Sequence, residues 1–204
     1  MSQEGKLVVI SGPSGVGKST VCEELLKLPG FERVVTCTTR AARAGEIPGQ
    51  HYHFLTREEF EEGIQKDSYL EYACVHGQLY GTPRQAVQDG IRRGNNVLLS
   101  IDVQGARQVR ERCRDAKLTT IFLAPPDFDE LERRLRRRGT DGAAEIAARI
   151  GTAKKEMMET GVYDHVVVNR RIDDTVREIL SAIGYGREGS PPTGARSRKE
   201  AQGN

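Results

Sequence analysis

The sequence has few cysteines, no long apolar run and almost no net charge, and each shortage removes a class of protein. Its four cysteines, Cys22, Cys37, Cys74 and Cys113, lie far apart with no Cys-x-x-Cys pair. That argues against a disulfide frame or a zinc knuckle and for reduced thiols in a cytosolic enzyme. No apolar stretch is long enough to span a bilayer, and the opening "MSQEGKLVVI" lacks the basic and apolar regions of a signal peptide. A cytoplasmic protein without a membrane partner is the expectation. The formal net charge is only +2, so no overall basic field points to nucleic acid. His51 and His53 stand two apart with no third ligand at metal spacing, which favours a structural or solvent-facing role.

What is present suits a soluble globular chain: 204 residues, 37% hydrophobic and 29% charged. A chain of this length buries roughly 70% of its potential surface and needs no staples. It forms one domain, or one domain with an inserted lobe. Short apolar runs alternate with helical patterns, which predicts an α/β fold with a parallel sheet. "KLVVIS", "ERVVTCTT", "NVLLSID", "LTTIFLAPP" and "HVVVN" read as strands. Helices are predicted from Lys18 to Leu28, from Thr82-Pro83 through Ile91, over "VQGARQVRERC", after an Asp127/Glu130 cap, on to about Thr160, and from Asp173 to about Ile183. Between about Thr36 and Thr82 the rhythm changes. "HYHFLT" and "SYLEYA" read as short strands around a helix capped by Thr56 and Glu59, so this region is the predicted lobe. The tail, 187–204, has almost nothing large and apolar and is expected to be disordered.

Gly12-Pro13-Ser14-Gly15-Val16-Gly17-Lys18-Ser19 fits G-x-x-x-x-G-K-[ST] between a predicted strand and a predicted helix. Such a loop turns successive N–H groups toward an anion at a helix N-terminus. Lys18 would reach the β and γ phosphates, and the Ser19 hydroxyl would ligate magnesium. Asp102 ends the strand "NVLLSID", where an acid either serves that magnesium or caps the next helix; the pattern leaves both open. Arg40 and Arg43, with Tyr52 just beyond, are either a clamp for a phosphate dianion or solvated loop residues. Glu71 lies inside an apolar strand, so it faces solvent or accepts hydrogen bonds.

The ordered set "SGPSGVGKST", "TTRAARAGE", "YHF", "LEYA", "YGT", "IDVQG", "FLAPP", "RLRRRGTD" and "YDHVVVN" resembles guanylate kinase, over about Lys6 to Ile183. The resemblance implies a P-loop NTPase-type three-layer fold with a five-stranded parallel sheet, a GMP-binding lobe at about 36–82 and a lid at about 134–150, within a domain of about 5–186. It implies magnesium-dependent transfer of the γ-phosphate of ATP to GMP. By position, Arg40, Arg43, Tyr52 and Tyr80 would hold the GMP phosphate, and Thr36, Glu71 and Thr82 would read guanine. Asp102 would sit beside the nucleotides and the metal. Gly12 to Thr20 would hold ATP; Arg134, Arg138 and Arg149 would be its phosphate-directed lid arginines, and Asn169 would lie near adenine. A monomer or homodimer is expected. Three positions depart from the family pattern: Thr36 in place of serine, Ser100 in place of an acid, and Arg170 in place of aspartate.

Other readings are weaker. The arginine run from Arg133 to Arg138 lacks the interleaved aromatics of a nucleic acid contact, and a lid explains it better. A binding module built on the same fold would have a degenerate loop, whereas Lys18, Ser19 and Asp102 are all retained. A kinase for a different nucleotide or a sugar phosphate would have no need of Glu71 and the two threonines.

Overall fold

The structure, a computed structural model, describes residues 5–75, 77–113, 117–138 and 142–186, the side chain of Arg138 excepted. From the N-terminus its elements are β1 (Leu7–Ser11), α1 (Lys18–Leu26), β2 (Phe31–Arg33), β3 (Thr36–Thr38), β4 (Tyr52–Phe54), α2 (Arg57–Gln65), β5 (Tyr69–Val75) and β6 (Gln78–Pro83). They continue with α3 (Arg84–Arg92), β7 (Asn96–Ser100), α4 (Val103–Arg112), β8 (Leu118–Ala124), α5 (Phe128–Arg138) and α6 (Ala143–Met157). A 3-10 turn at Thr160–Val162, β9 (His165–Val168) and α7 (Ile172–Ala182) complete the order.

Alternation along β1 builds the layers. All five of its residues are buried, so both faces must be covered, as a central parallel strand requires. Leu7 and Val9 pack with Val97, Leu99 and Phe122 and, from α3 and α4, with Val87, Ala106 and Val109. Val8 and Ile10 point the other way, to Leu98, Ile121 and Leu123 and to Val21, Leu25 and Ile179 of α1 and α7. A period of two thus places one helix layer on each side. The sheet order is β2-β7-β1-β8-β9 and every pair is parallel, the expected five-stranded arrangement.

A second sheet, β4-β3-β6-β5, is built from residues 36–83. Its core is Phe60 of α2, fully buried and stacked on Tyr69 with ring centroids 4.3 Å apart. Burial of such a ring is worth roughly 1.5–3 kcal/mol. The predicted cap is present: Glu59 N–H donates to Thr56 Oγ1 (3.1 Å) and Thr56 N–H to Glu59 Oε2 (2.7 Å). Leu131 and Leu135 of α5 pack on Ile146 and Ala153 of α6 as a small cluster of their own.

Three readings need correction. "ERVVTCTT" is not one strand: β2 belongs to the first sheet and β3 to the second, and the chain crosses between them at Val34 and Val35. Val34 is buried in the core of the first sheet, so the apolar run marks a crossing rather than a continuous ladder. In addition, Gln78–Pro83 forms a strand that pairs antiparallel with both β3 and β5 and was not foreseen. The helix expected to reach Thr160 stops at Met157. The tail, 187–204, lies outside the described residues.

Candidate active site

The strand-to-helix turn from β1 into α1 forms the phosphate loop. Gly12 has φ +136°, and a Cβ there would lie 2.2 Å from the Leu123 carbonyl oxygen on β8, so no other residue fits. Lys18 Nζ donates to the carbonyls of Gly12 (2.6 Å) and Pro13 (3.1 Å), which hold the ammonium over the loop. Ser19 and Thr20 are exposed in the first turn of α1. Asn169, just past β9, is buried; its Nδ2 donates to Val16 O (2.8 Å) and its Oδ1 accepts from Thr175 (3.0 Å). It braces the loop from beneath. Arg134 donates to Val16 O (3.2 Å) and Asn169 O (3.0 Å) while Glu130 holds its Nε at 2.8 Å. Arg149 reaches Ser14 Oγ at 2.7 Å. Two of the three predicted lid arginines therefore touch the loop; the side chain of the third, Arg138, lies outside the described residues.

Beside the loop a cavity of about 390 Å³ opens between the two sheets. Thr36, Tyr52, Glu71, Tyr80 and Thr82 line it from the second sheet, and Ser19 of α1 and Asp102, which precedes α4, line it from the other side. Glu71 owes its position to a register shift in β5: Tyr69 pairs with Pro83, but Glu71 pairs with Thr82. Such irregularities re-aim a side chain. Thr82 Oγ1 donates to Glu71 Oε1 at 2.5 Å, and the residue is only 7% exposed. Burial raises the carboxyl above its ordinary value of 4.5; the Thr82 hydrogen bond opposes this, the Asp102 charge adds to it, and Arg112 opposes it. A Cβ on Gly105, in the first turn of α4, would stand 3.1 Å from Glu71 Oε2, so the glycine leaves room for the carboxylate.

Of the two roles that the pattern left open for Asp102, the structure shows the helix cap. Its Oδ1 accepts the Gly105 N–H (2.8 Å) as the N-cap of α4, and the residue also faces the cavity. Gln108, one turn further on, clamps α4 to β5 by accepting from Tyr72 N–H (3.1 Å) and donating to Tyr72 O (2.9 Å).

At the cavity's outer end Arg40 lies over the Tyr52 ring, 5.5 Å from its centroid, and Tyr52 meets Tyr80 edge-on with centroids 6.1 Å apart. Both Arg40 Nη atoms donate to Glu46, at 3.0 and 2.8 Å. Glu46 also accepts the Arg43 N–H at 2.7 Å, and Arg40 holds its carboxyl down at about 2. Arg43 itself is exposed.

Glu46 escaped the sequence reading, although it sits three residues past Arg43 in the same loop. Gln108 gave no signal, because its bonds go to a backbone 36 residues away. Glu156 on α6 was also missed; it is half-buried, which raises its carboxyl, in the field of Lys18 and Asp102. Cys22 lines the cavity, with burial pushing its thiol to about 11. His51 Nδ1 accepts the Ile47 N–H at 2.9 Å and so orders its own loop.

The guanylate kinase family model matches residues 4–185. The guanylate kinases of Clostridium tetani (strain Massachusetts / E88) and Prochlorococcus marinus (strain MIT 9313) are 44% and 47% identical to the chain. Each alignment covers 89% of this chain, and 86% and 95% of the relatives respectively. The crystal structure of guanylate kinase from Anaplasma phagocytophilum superposes with a TM-score of 0.69 at 33% identity, over 94% of this chain and 89% of that one. With a P-loop NTPase-type fold, a family match spanning nearly all its length and relatives this similar, the chain belongs to the guanylate kinase family.

Proposed function

We infer that this guanylate kinase seats GMP in the cavity between its sheets and receives the γ-phosphoryl of ATP there, giving GDP and ADP. One observation carries the reading. The buried Glu71–Thr82 pair forms one wall of a cavity whose other wall holds Ser19 and Asp102, next to the phosphate loop. Guanine presents N1–H and an exocyclic amine side by side, two donors that an acceptor-only carboxylate can take together. Thr36 and Thr82 add hydroxyls at the same edge. The nucleotide's phosphate then lies toward Tyr52, Tyr80, Arg40 and Arg43, with Arg40 already oriented by Glu46.

ATP occupies the loop from Gly12 to Thr20, its phosphates on the N–H groups at the start of α1 and its adenine toward Asn169. Lys18 exchanges its loop carbonyls for phosphate oxygens. Arg134 and Arg149, which already lie against the loop, supply positive charge to the transferring group. The GMP phosphate attacks in line without a covalent intermediate. The Ser19 hydroxyl and Asp102 carboxylate are hard oxygen donors lining one cavity, a set that suits magnesium. Held there by Ser19 and Asp102, magnesium would neutralise charge on the ATP phosphates. Residues at about 36–82 would thus form a GMP lobe, and those at about 134–150 a lid.

Steady-state kinetics of Lys18→Ala test the reading. Its ammonium holds loop carbonyls and its side chain is not part of either buried core of the first sheet, so the fold should persist while turnover falls by several orders of magnitude. Near-normal kcat would remove this mechanism.

A further inference from the structure

A second cavity, about 350 Å³, lies at the opposite end of the strands, between α3 and α4. Leu70, Val87 and Ile91 give it an apolar floor. Arg84, Arg92, Arg112 and Lys117 surround it, and no carboxylate is among its described lining residues. Acidic partners are described for two of these cations. Asp67 accepts from Arg84 at 2.9 Å and Asp89 faces Arg92 at 3.3 Å. Arg112 spends its guanidinium on neutral partners, the Tyr69 carbonyl at 3.2 Å and the Tyr72 ring at 5.3 Å. Apolar walls with convergent cations favour a ligand that has both an apolar body and an anionic head.

We propose that this cavity binds a small organic monophosphate with a flat apolar body, and that its occupancy is coupled to the GMP cavity through β5. A guanidinium fork matches phosphate oxygens, and a dianion suits several cations better than a single charge does. The coupling has a short path. Leu70, in the floor, is the residue the register shift leaves between Tyr69 and Glu71, whose partners are Pro83 and Thr82. Leu70 and Glu71 therefore line different cavities from adjacent positions on one strand. Arg84 stands two residues beyond Thr82, on the same side as Leu70. A phosphate that draws both Arg112 (3.2 Å) and Arg84 (3.4 Å) from the Tyr69 carbonyl loosens β5 two residues from Glu71. The coupling rests on Glu71 reading the base; binding at the second cavity does not.

The test uses 1-naphthyl phosphate and the full chain with saturating GMP and ADP, which keep the active site filled. Methyl NMR should show saturable shifts at Leu70, Val87 and Ile91. Inorganic phosphate, a head without a body, and 1-naphthol, a body without a head, should each bind at least about tenfold more weakly. Gln88→Glu and Arg92→Glu, exposed substitutions at the rim, should weaken the probe by about tenfold or more and leave basal turnover unchanged. An absence of saturable shifts, or wild-type affinity in both variants, overturns the site. For the coupling, the probe should change the KM for GMP in the wild type and not in Arg92→Glu. A KM effect that persists in Arg92→Glu, or one absent from a wild type that binds the probe, overturns the linkage and leaves the GMP assignment standing.

Discussion

Replacing Glu71 with glutamine keeps size and shape and removes one buried charge. Glutamine's oxygen still accepts from Thr82 Oγ1, so the 2.5 Å contact across β5 and β6 has a successor. Burial is what raises the carboxyl of Glu71, and a neutral amide escapes that penalty. The melting temperature should therefore hold or rise. Binding changes differently, because the amide's NH₂ meets a guanine donor where an oxygen stood. A hydrogen bond to a charged group is worth roughly 1.5–3 kcal/mol, and an unsatisfied buried donor costs roughly 1–3 kcal/mol. The lower ends add to about 2.5 kcal/mol, close to a 10²-fold loss of kcat/KM for GMP at about 1.4 kcal/mol per decade. AMP should gain, since adenine N1 is an acceptor that the new amide can serve. The assay is kcat/KM for GMP and AMP in both proteins. An unchanged GMP-over-AMP ratio with an intact fold would refute the assignment of Glu71 to the base.

Two further outcomes follow from the same site. Glu71 must be ionised to accept from guanine, and its carboxyl is raised in the free protein; acidification therefore protonates it early and favours the free form over the complex. The KM for GMP should climb as pH falls while still above the ordinary value of 4.5, and Glu71→Gln should lack that limb; identical pH profiles would contradict it. Glu46→Gln should raise the KM for GMP several-fold with little change in kcat, because the substitution weakens the fork that orients Arg40 and the anchor on Arg43 N–H. An unchanged KM would leave Glu46 a loop brace without influence on the phosphate.

Much of this was legible where the physics is local. The phosphate loop announces itself through glycines that only a strand-to-helix turn requires, and Gly12, pressed on the Leu123 carbonyl, shows why. The Thr56–Glu59 cap lies within three residues and was read correctly. What stayed hidden is long-range. β6 pairs Gly81 with Cys37 and Tyr80 with Thr38, partners more than 40 residues away, and no periodicity in either segment names the other. Val34 and Val35 look like mid-strand residues because burial at a crossing and burial in a ladder select the same side chains. The assignments of Asn169 and Arg134 to ATP came from resemblance; their bonds to the Val16 carbonyl depend on α5 and β9 meeting the loop, which sequence spacing does not encode.

The most direct test of the account is a coupled assay of ADP release from ATP with GMP, AMP and UMP as acceptors. Turnover with GMP exceeding both others by orders of magnitude in kcat/KM is the predicted result. Equal rates with the three acceptors, or GMP binding without any turnover, would contradict it.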